Sequence, residues 1–351
     1  MTNAPALADP VDRLVWDESP VAAVDGVAVL VIGSADLAAR ALRAGARVYA
    51  FCDAASDHDT LVDGITRLTP DQPLTGIDVV WLHLPRQLDE LDQYCAWAVA
   101  SGADQVVAGG RIKQLNHSMN DVLARHFERV NASRGRDKAR VLHAAGARPR
   151  AVDRPGGAWP RWRTLDIDHA PTRVAHHGGT FASGRFDPAT RLLLGQLDAV
   201  CAAAPSRVLD WGSGAGIIAT ALARRLPRAG IDAVDLSWAG ADATRLTLHA
   251  AGLPDDTSTG LRTHWADGNA MLTTLADLDL VVSNPPFHAG NAKDSSATLA
   301  MIDLAAQHLV PGGELWLVHN SHLPYLAALR RHGRAGVVAQ DRSYTVSRLV
   351  A

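Results

Sequence analysis

The first clear pattern along the chain is an unbroken β-branched and apolar run at residues 27–32, ending at Gly33. Apolar positions at helical spacing follow over 36–44, and then a second apolar run at 48–51. A short continuous run, a helix and another run make the rhythm of a parallel sheet covered by helices. The rhythm goes on with a strand over 77–84, a helix over 88–100 and a strand over 105–108 that closes on Gly109 and Gly110. Residues 111–143 read as polar and helical, in two pieces.

Between 148 and 173 the pattern breaks. Pro149, Pro155, Gly156, Gly157, Pro160 and Pro171 interrupt any long element, so the domain connection is expected over 151–172. Basic residues outnumber acidic ones between 134 and 163, which suits either a solvated linker face or an RNA contact. The β-α rhythm then resumes. It predicts strands at 207–210, 231–236, 261–266, 278–283 and 314–319, and helices at 217–226, 238–251, 296–308 and 323–331. Two alternating runs, 336–340 and 344–350, flank the polar turn 341–343 and read as an antiparallel hairpin added to the sheet edge.

A chain of 351 residues exceeds what one core usually serves. Two domains are expected, at 1–150 and 173–351. Hydrophobic residues at 47% and charged residues at 20% are ordinary for a globular protein. A net charge of −3 excludes a generally basic nucleic-acid-binding surface, so any RNA contact must be a local patch. Cys52, Cys95 and Cys201 lie far apart and form neither a disulfide framework nor a metal motif. The 15 histidines are scattered, and the pair His176-His177 lacks partners at ligand spacing, so no metal is expected. The first ten residues show no basic region before an apolar core, and no apolar run is long enough for a bilayer. A cytoplasmic protein without membrane partners is the expectation.

Three motifs carry chemistry. In Val208-Leu-Asp-Trp-Gly-Ser-Gly-Ala-Gly216 a strand runs through glycines directly into a helix. Gly212, Gly214 and Gly216 permit a tight turn with close backbone approach, and the helix start offers free N–H groups to an anionic ligand group. Ser213 sits within the turn. Asp210 before the glycines, and GxGxG spacing rather than GxGxxG, tilt the motif away from dinucleotide binding; Asp210 could hold a cofactor's amino group. The second motif is Asp235, at a strand end where a carboxylate suits ribose hydroxyls. Capping the next helix explains it equally well. Asp267 would lie on the same sheet edge within reach of an adenine amino group.

The third motif is Asn284-Pro-Pro-Phe287, where the chain leaves the fourth strand of this half. Pro285 and Pro286 fix the backbone and remove two donors, leaving carbonyls outward. The Asn284 oxygen and a proline carbonyl can then accept from one NH2 group, while Phe287 offers a stacking platform. The stretch from Asp78 to Pro85 can be laid over Asp279 to Pro286, with His83 at the place of Asn284. Duplication with loss of chemistry in the first copy, or chance, would each explain that.

On these motifs the chain resembles the class I S-adenosylmethionine-dependent methyltransferases, specifically the ribosomal RNA guanine-N2 methyltransferase family. The resemblance runs from about residue 179 to the end. It includes Phe181-Ala-Ser-Gly-Arg-Phe-Asp-Pro-Ala-Thr-Arg-Leu-Leu-Leu194, Asn284-Pro-Pro-Phe-His288, Pro311-Gly-Gly-Glu-Leu315 and Leu323-Pro-Tyr325. The family often has cysteine where this chain has Ser213. The resemblance implies two Rossmann-like α/β domains. The N-terminal one is degenerate and RNA-binding; the catalytic one has a seven-stranded sheet with an antiparallel terminal hairpin. It further implies S-adenosyl-L-methionine as cofactor, ribosomal RNA or a ribosomal subunit as partner, and Phe181, Arg185 and Phe186 as cover for the cofactor. Asn284, Pro285, Pro286 and Phe287 would be catalytic. Asp210, Gly212, Ser213, Gly214, Gly216, Asp235, Asp267 and Asn284 would bind the cofactor. His288 is either a base or a wall residue. Three other classes stay open: methylation of adenine N6 or protein glutamine, non-catalytic RNA binding, and nicotinamide oxidoreduction.

Overall fold

The computed structural model describes residues 7–20, 25–148, 159–253, 260–275, 277–285 and 292–351. The chain forms two compact units, Met1–Trp159 and Pro160–Ala351.

The first unit is a seven-stranded sheet of β1 (Ala28–Ile32), β2 (Arg47–Phe51), β3 (Thr66–Arg67), β4 (Val79–His83), β5 (Gln105–Arg111), β6 (Phe127–Ala132) and β7 (Ala139–Ala147). Its order is β3-β2-β1-β4-β5-β7-β6. β1 is buried along its whole length, as its unbroken apolar run demands. The expected helical pair over 111–143 is a helix, His117–His126, followed by β6 and most of β7. Asp137 and Lys138, at φ +51° and +61°, turn the chain between these two strands. β6 is an exposed edge strand, Beeiee in burial, so its polar sequence carries no alternation to betray it.

The second unit begins with an antiparallel hairpin, β8 (Arg161–Ile167) and β9 (Ala170–His176), where a structureless connection was expected. Asp168 and His169 turn at φ +53° and +63°, as a two-residue hairpin loop requires. Ile167 and Val174 bury into the core of the unit, which is why the segment belongs to it. The main sheet comprises β10 (Arg207–Trp211), β11 (Gly230–Asp235), β12 (Leu261–Trp265), β13 (Leu278–Ser283), β14 (Leu309–Asn320), β15 (Arg334–Gln340) and β16 (Tyr344–Val350). Its order is β12-β11-β10-β13-β14-β16-β15, with β14, β16 and β15 antiparallel as the terminal hairpin required. Apolar clusters built around Leu222 and Leu248, and around Met301 and Ile302, pack against this sheet.

Counted within each seven-stranded sheet, the two strand orders are the same. The likeness extends to a detail at the strand starts. Asp78, just before β4, accepts from Ala28 N at 2.8 Å, tying down the start of β1. Asp279 in β13 accepts from Ser206 N, Ser206 Oγ and Arg207 N at 2.7–2.9 Å, tying down the start of β10.

Candidate functional site

The strand order reverses between β10 and β13, because β11 and β12 extend the sheet one way and β13 and β14 the other. That switch point, at the carboxyl ends of parallel strands, is where open α/β sheets leave a crevice. Here the Gly212 turn and Asn284 run side by side; a Cβ on Gly212 would stand 3.9 Å from the Asn284 carbonyl.

Gly212, Gly214 and Gly216 all have left-handed φ, at +79°, +57° and +76°. Gly216 has a second constraint, since a Cβ there would meet Thr244 Cα at 2.9 Å. The turn lies tight against the helix Trp238–Ala250 and leads into the helix Ile217–Arg225. Ser213 Oγ accepts from Thr244 Oγ1 at 2.9 Å, pinning the turn from below.

The acidic residues divide. Asp210 is fully buried beneath the turn, and neither of its oxygens has a partner within hydrogen-bond geometry among the described residues. Burial pushes its carboxyl up to about 7; the Ala219 N–H offsets this only in part, and Asp235 adds to it. Asp235 accepts from Gly214 N at 2.8 Å with one oxygen and from Ser237 N at 2.9 Å with the other. It therefore joins the glycine turn to the start of the next helix. Asp267 accepts from Asn269 N at 2.8 Å and caps the helix Gly268–Leu272.

Asn284 is held from the 181–194 stretch, by two residues to which the sequence motifs gave no role. Its Nδ2 donates to Thr190 Oγ1 at 2.8 Å and to Asp187 Oδ2 at 3.0 Å. Both partners sit at the start of the helix Pro188–Leu194, which Asp187 caps through Thr190 N. The Asn284 Oδ1 is buried with no hydrogen-bond partner among the described residues. Pro285 is buried beside it; Pro286, Phe287 and His288 lie outside the described residues.

The loop before that helix reaches over the glycines. Thr180 Oγ1 accepts from His177 N and donates to Ala239 O, His177 Nε2 pairs with Asp242 at 2.8 Å, and Arg163 Nε donates to Ser183 O. So anchored, the loop sets the Phe181 Cβ 3.9 Å from where a Cβ on Gly214 would stand, the ring 47% exposed. A cleft is lined by Phe181, Arg185, Asp187, Thr190, the 212–215 turn and Asn284. Phe186 instead packs toward the core with the Arg191 guanidinium 5.0 Å from its ring. A larger cavity of about 330 Å³ lies by Ser206, Asp279 and Pro311, at the opposite ends of the strands. It holds none of the expected catalytic or cofactor-binding residues.

Among the expected site residues, Gly212, Ser213, Gly214 and Asn284 line the cleft together. Asp210, Gly216, Asp235 and Asp267 frame the turn and strand ends without lining it. Asp187 and Thr190 were missed, although Asp-Pro-x-x-Arg-Leu at 187–192 repeats at 9–14. Among the described residues no group of three or more His, Cys, Asp or Glu could hold a metal, and no helix could cross a membrane.

The arrangement suits a ligand with a carboxylate, an ammonium and a nucleoside. The turn approaches without bulky side chains, Asp210 supplies a buried acid that the Ala219 N–H compensates only in part, and Asn284 presents an unused acceptor. These features fit S-adenosylmethionine, which when bound supplies a methyl group on a sulfonium.

Comparison with known proteins agrees. The family model described as "Methyltransferase small domain" matches residues 171–348, and "RLMG N-terminal domain" matches 55–148. The chain is 33% identical over 291 residues to "Ribosomal RNA large subunit methyltransferase G" of Streptomyces avermitilis, covering 80% of this chain and 73% of that one. It is 31% identical over 300 residues to "Ribosomal RNA small subunit methyltransferase C" of Pseudomonas syringae pv. syringae, covering 82% and 83%. A solved T. thermophilus 16S rRNA N2 G1207 methyltransferase, in complex with AdoMet and guanosine, shares the fold. Its TM-score is 0.78 at 23% identity, over 98% of this chain and 92% of that one. The chain thus belongs to the methyltransferase small domain family, in the branch joined to an RLMG N-terminal domain, and is an S-adenosylmethionine-dependent methyltransferase.

Proposed function

We propose that the chain methylates the exocyclic N2 amine of a guanine in ribosomal RNA. The observation that carries this reading is the buried, unpartnered Oδ1 of Asn284 at the switch point, an acceptor waiting for an N–H. The names of the relatives support the RNA, and the guanosine of the structural neighbour supports the base.

A guanine amine is a weak nucleophile, because its lone pair is delocalised into the ring. Accepting from its two N–H groups, Asn284 Oδ1 and the Pro285 carbonyl would favour a more pyramidal nitrogen and aim the lone pair. Phe287 would stack on the base, which has to leave its helix to reach the cleft. No strong base is required, since the proton leaves after transfer. Asp210 and the surface of the 212–216 turn, free of bulky side chains, would hold the amino-acid end of S-adenosylmethionine. Asp235 and Asp267 would meet its ribose and adenine. Phe181 and Arg185 would cover it.

The first unit, 1–150 in the sequence reading, would recruit RNA without chemistry of its own. Val31, Cys52 and His83 stand at the places of Asp210, Asp235 and Asn284 when the two sheets are matched by strand register. Cys52, its thiol pushed up to about 12 chiefly by burial, stays protonated and cannot replace a carboxylate. A ribosomal RNA substrate implies work in the cytoplasm.

The test incubates the chain with tritium-labelled S-adenosylmethionine and, separately, ribosomal RNA, DNA and a protein release factor. Label should enter only the RNA and digest to N2-methylguanine. Asn284→Ala should lower kcat about 100-fold, as loss of an aimed hydrogen-bonding group does. Label in adenine or glutamine, or none in RNA, overturns the reading.

A further inference from the structure

We infer that Asp187 and Thr190 are positioning residues that lock the Asn284 amide with its oxygen facing the cleft, and so make the site accept an NH2 group. The inference rests on the amine-methylating reading above.

An asparagine amide can sit either way round, and only its partners decide. Here Nδ2 faces Asp187 Oδ2 at 3.0 Å and Thr190 Oγ1 at 2.8 Å. A carboxylate only accepts, so turning the amide over would set the Asn284 oxygen against Asp187 and lose that bond, and would force the Thr190 hydroxyl to turn from Asp187 to donate. The Thr190 hydroxyl is directed at Asp187 Oδ2, 3.5 Å away, which leaves its lone pairs for Asn284. Asp187 is itself fixed, because the same oxygen accepts from Thr190 N at 3.0 Å as the helix cap. The donors of this set end on Asp187, directly or through the Thr190 hydroxyl. Asn284 Oδ1 is the one end left over, buried and unpartnered among the described residues.

The first unit carries the same contact with different chemistry. Asp9 caps the helix Pro10–Asp17 through Val11 N at 2.8 Å, as Asp187 caps its helix. Asp12 then stands where Thr190 does, and its Oδ1 lies 2.6 Å from Nε2 of His83, the counterpart of Asn284. A helix start gripping the residue at the end of the fourth strand of the sheet is thus part of the repeated fold. Only the second unit uses the grip to present a carbonyl-type acceptor, because only there is the gripped residue an amide.

The test uses the full chain with Asp187→Asn, Thr190→Val and Thr190→Ser. Asp187→Asn keeps a helix-capping side chain but offers the Asn284 oxygen a donor. In wild type the Asn284 side-chain NH2 protons, assigned by their loss in Asn284→Asp, should exchange slowly with solvent in nitrogen-15 spectra. Protection should fall in Asp187→Asn and Thr190→Val and return in Thr190→Ser. With ribosomal RNA, the first two variants should lose roughly tenfold or more in kcat, since misaiming a reacting group costs that much. KM for RNA, affinity for S-adenosylmethionine and melting temperature should hold. Free exchange in wild type, unchanged kcat in both variants, or a loss matched by cofactor affinity and unrescued by serine each overturns the inference. If wild type methylates no ribosomal RNA the proposed function falls, while the exchange data still decide whether the amide is held.

Discussion

Asp210 shows what a single residue costs the fold and gives the site. Its carboxyl, pushed up to about 7 by burial, keeps its proton in the folded chain at pH values where the unfolded chain has released it. The folded state then binds more protons than the unfolded one between pH about 4 and 7, so stability falls as pH rises through that window. Asp210→Asn removes the liability with little change of shape. It should be more stable than wild type at pH 8 by on the order of 3 kcal/mol, with the difference vanishing near pH 4. Urea unfolding at both pH values measures this, and equal differences at the two would refute it. The same variant should bind S-adenosylmethionine at least about tenfold more weakly, because the buried acid no longer has a charge for the ligand's ammonium to pair with. Asp210, the glycines and Asn284 were legible in sequence, since each is a residue type with an unusual capability at a strand end. Asp187 and Thr190 were not. Their roles depend on a partner more than ninety residues away, and a capping Asp before a proline reads as ordinary helix grammar.

Among the elements, the glycine turn and the strand starts are the most exposed to change. Gly216→Ala has to hold a side chain at φ +76° and push it into Thr244 backbone. It should cost about 2 kcal/mol or more and lower the melting temperature by several degrees. Gly252 is the control; at φ +72° with nothing within 4 Å, its alanine variant should lose only about 1 kcal/mol. Equal losses would mean that packing against Thr244 is unimportant. Asp279 is held below its ordinary carboxylate range because the bonds from Ser206 and Arg207 outweigh its desolvation. A depressed folded-state value gives stability that is present above pH about 4 and lost as pH falls through the folded value. Asp279→Ala should therefore cost about 1 kcal/mol at neutral pH and progressively less in acid, by chemical denaturation. The elements misread from sequence have one cause. β6 and β7 turn through Asp137-Lys138, and β8 and β9 through Asp168-His169, rather than through glycine, and the exposed edge strand β6 lacks the alternation that marks a strand.

At the scale of the molecule, one topology occurs twice, and only the second occurrence keeps the polar set at its switch point. Every residue lining the cleft belongs to 160–351. That unit expressed alone should bind S-adenosylmethionine within about threefold of the full chain, as a domain with its own core would. Its affinity for ribosomal RNA should fall by about tenfold or more, because a protein with net charge −3 has few phosphate contacts to spare. Calorimetry with the cofactor and filter binding with RNA would check both, and undiminished RNA affinity would remove the recruiting role from the first unit.

By itself the sequence determined the two α/β sheets, the terminal hairpin, the glycine turn and the amide after the fourth strand. These follow from local periodicity and from residues whose backbone or side-chain chemistry is uncommon. Only the tertiary structure decided that the two strand orders coincide, that Asp210 is buried beneath the turn while Asp235 ties the turn to a helix, and which way the Asn284 amide faces. Those are outcomes of packing between residues remote in the chain. Burial and the direction of a hydrogen bond come into being only when such residues meet.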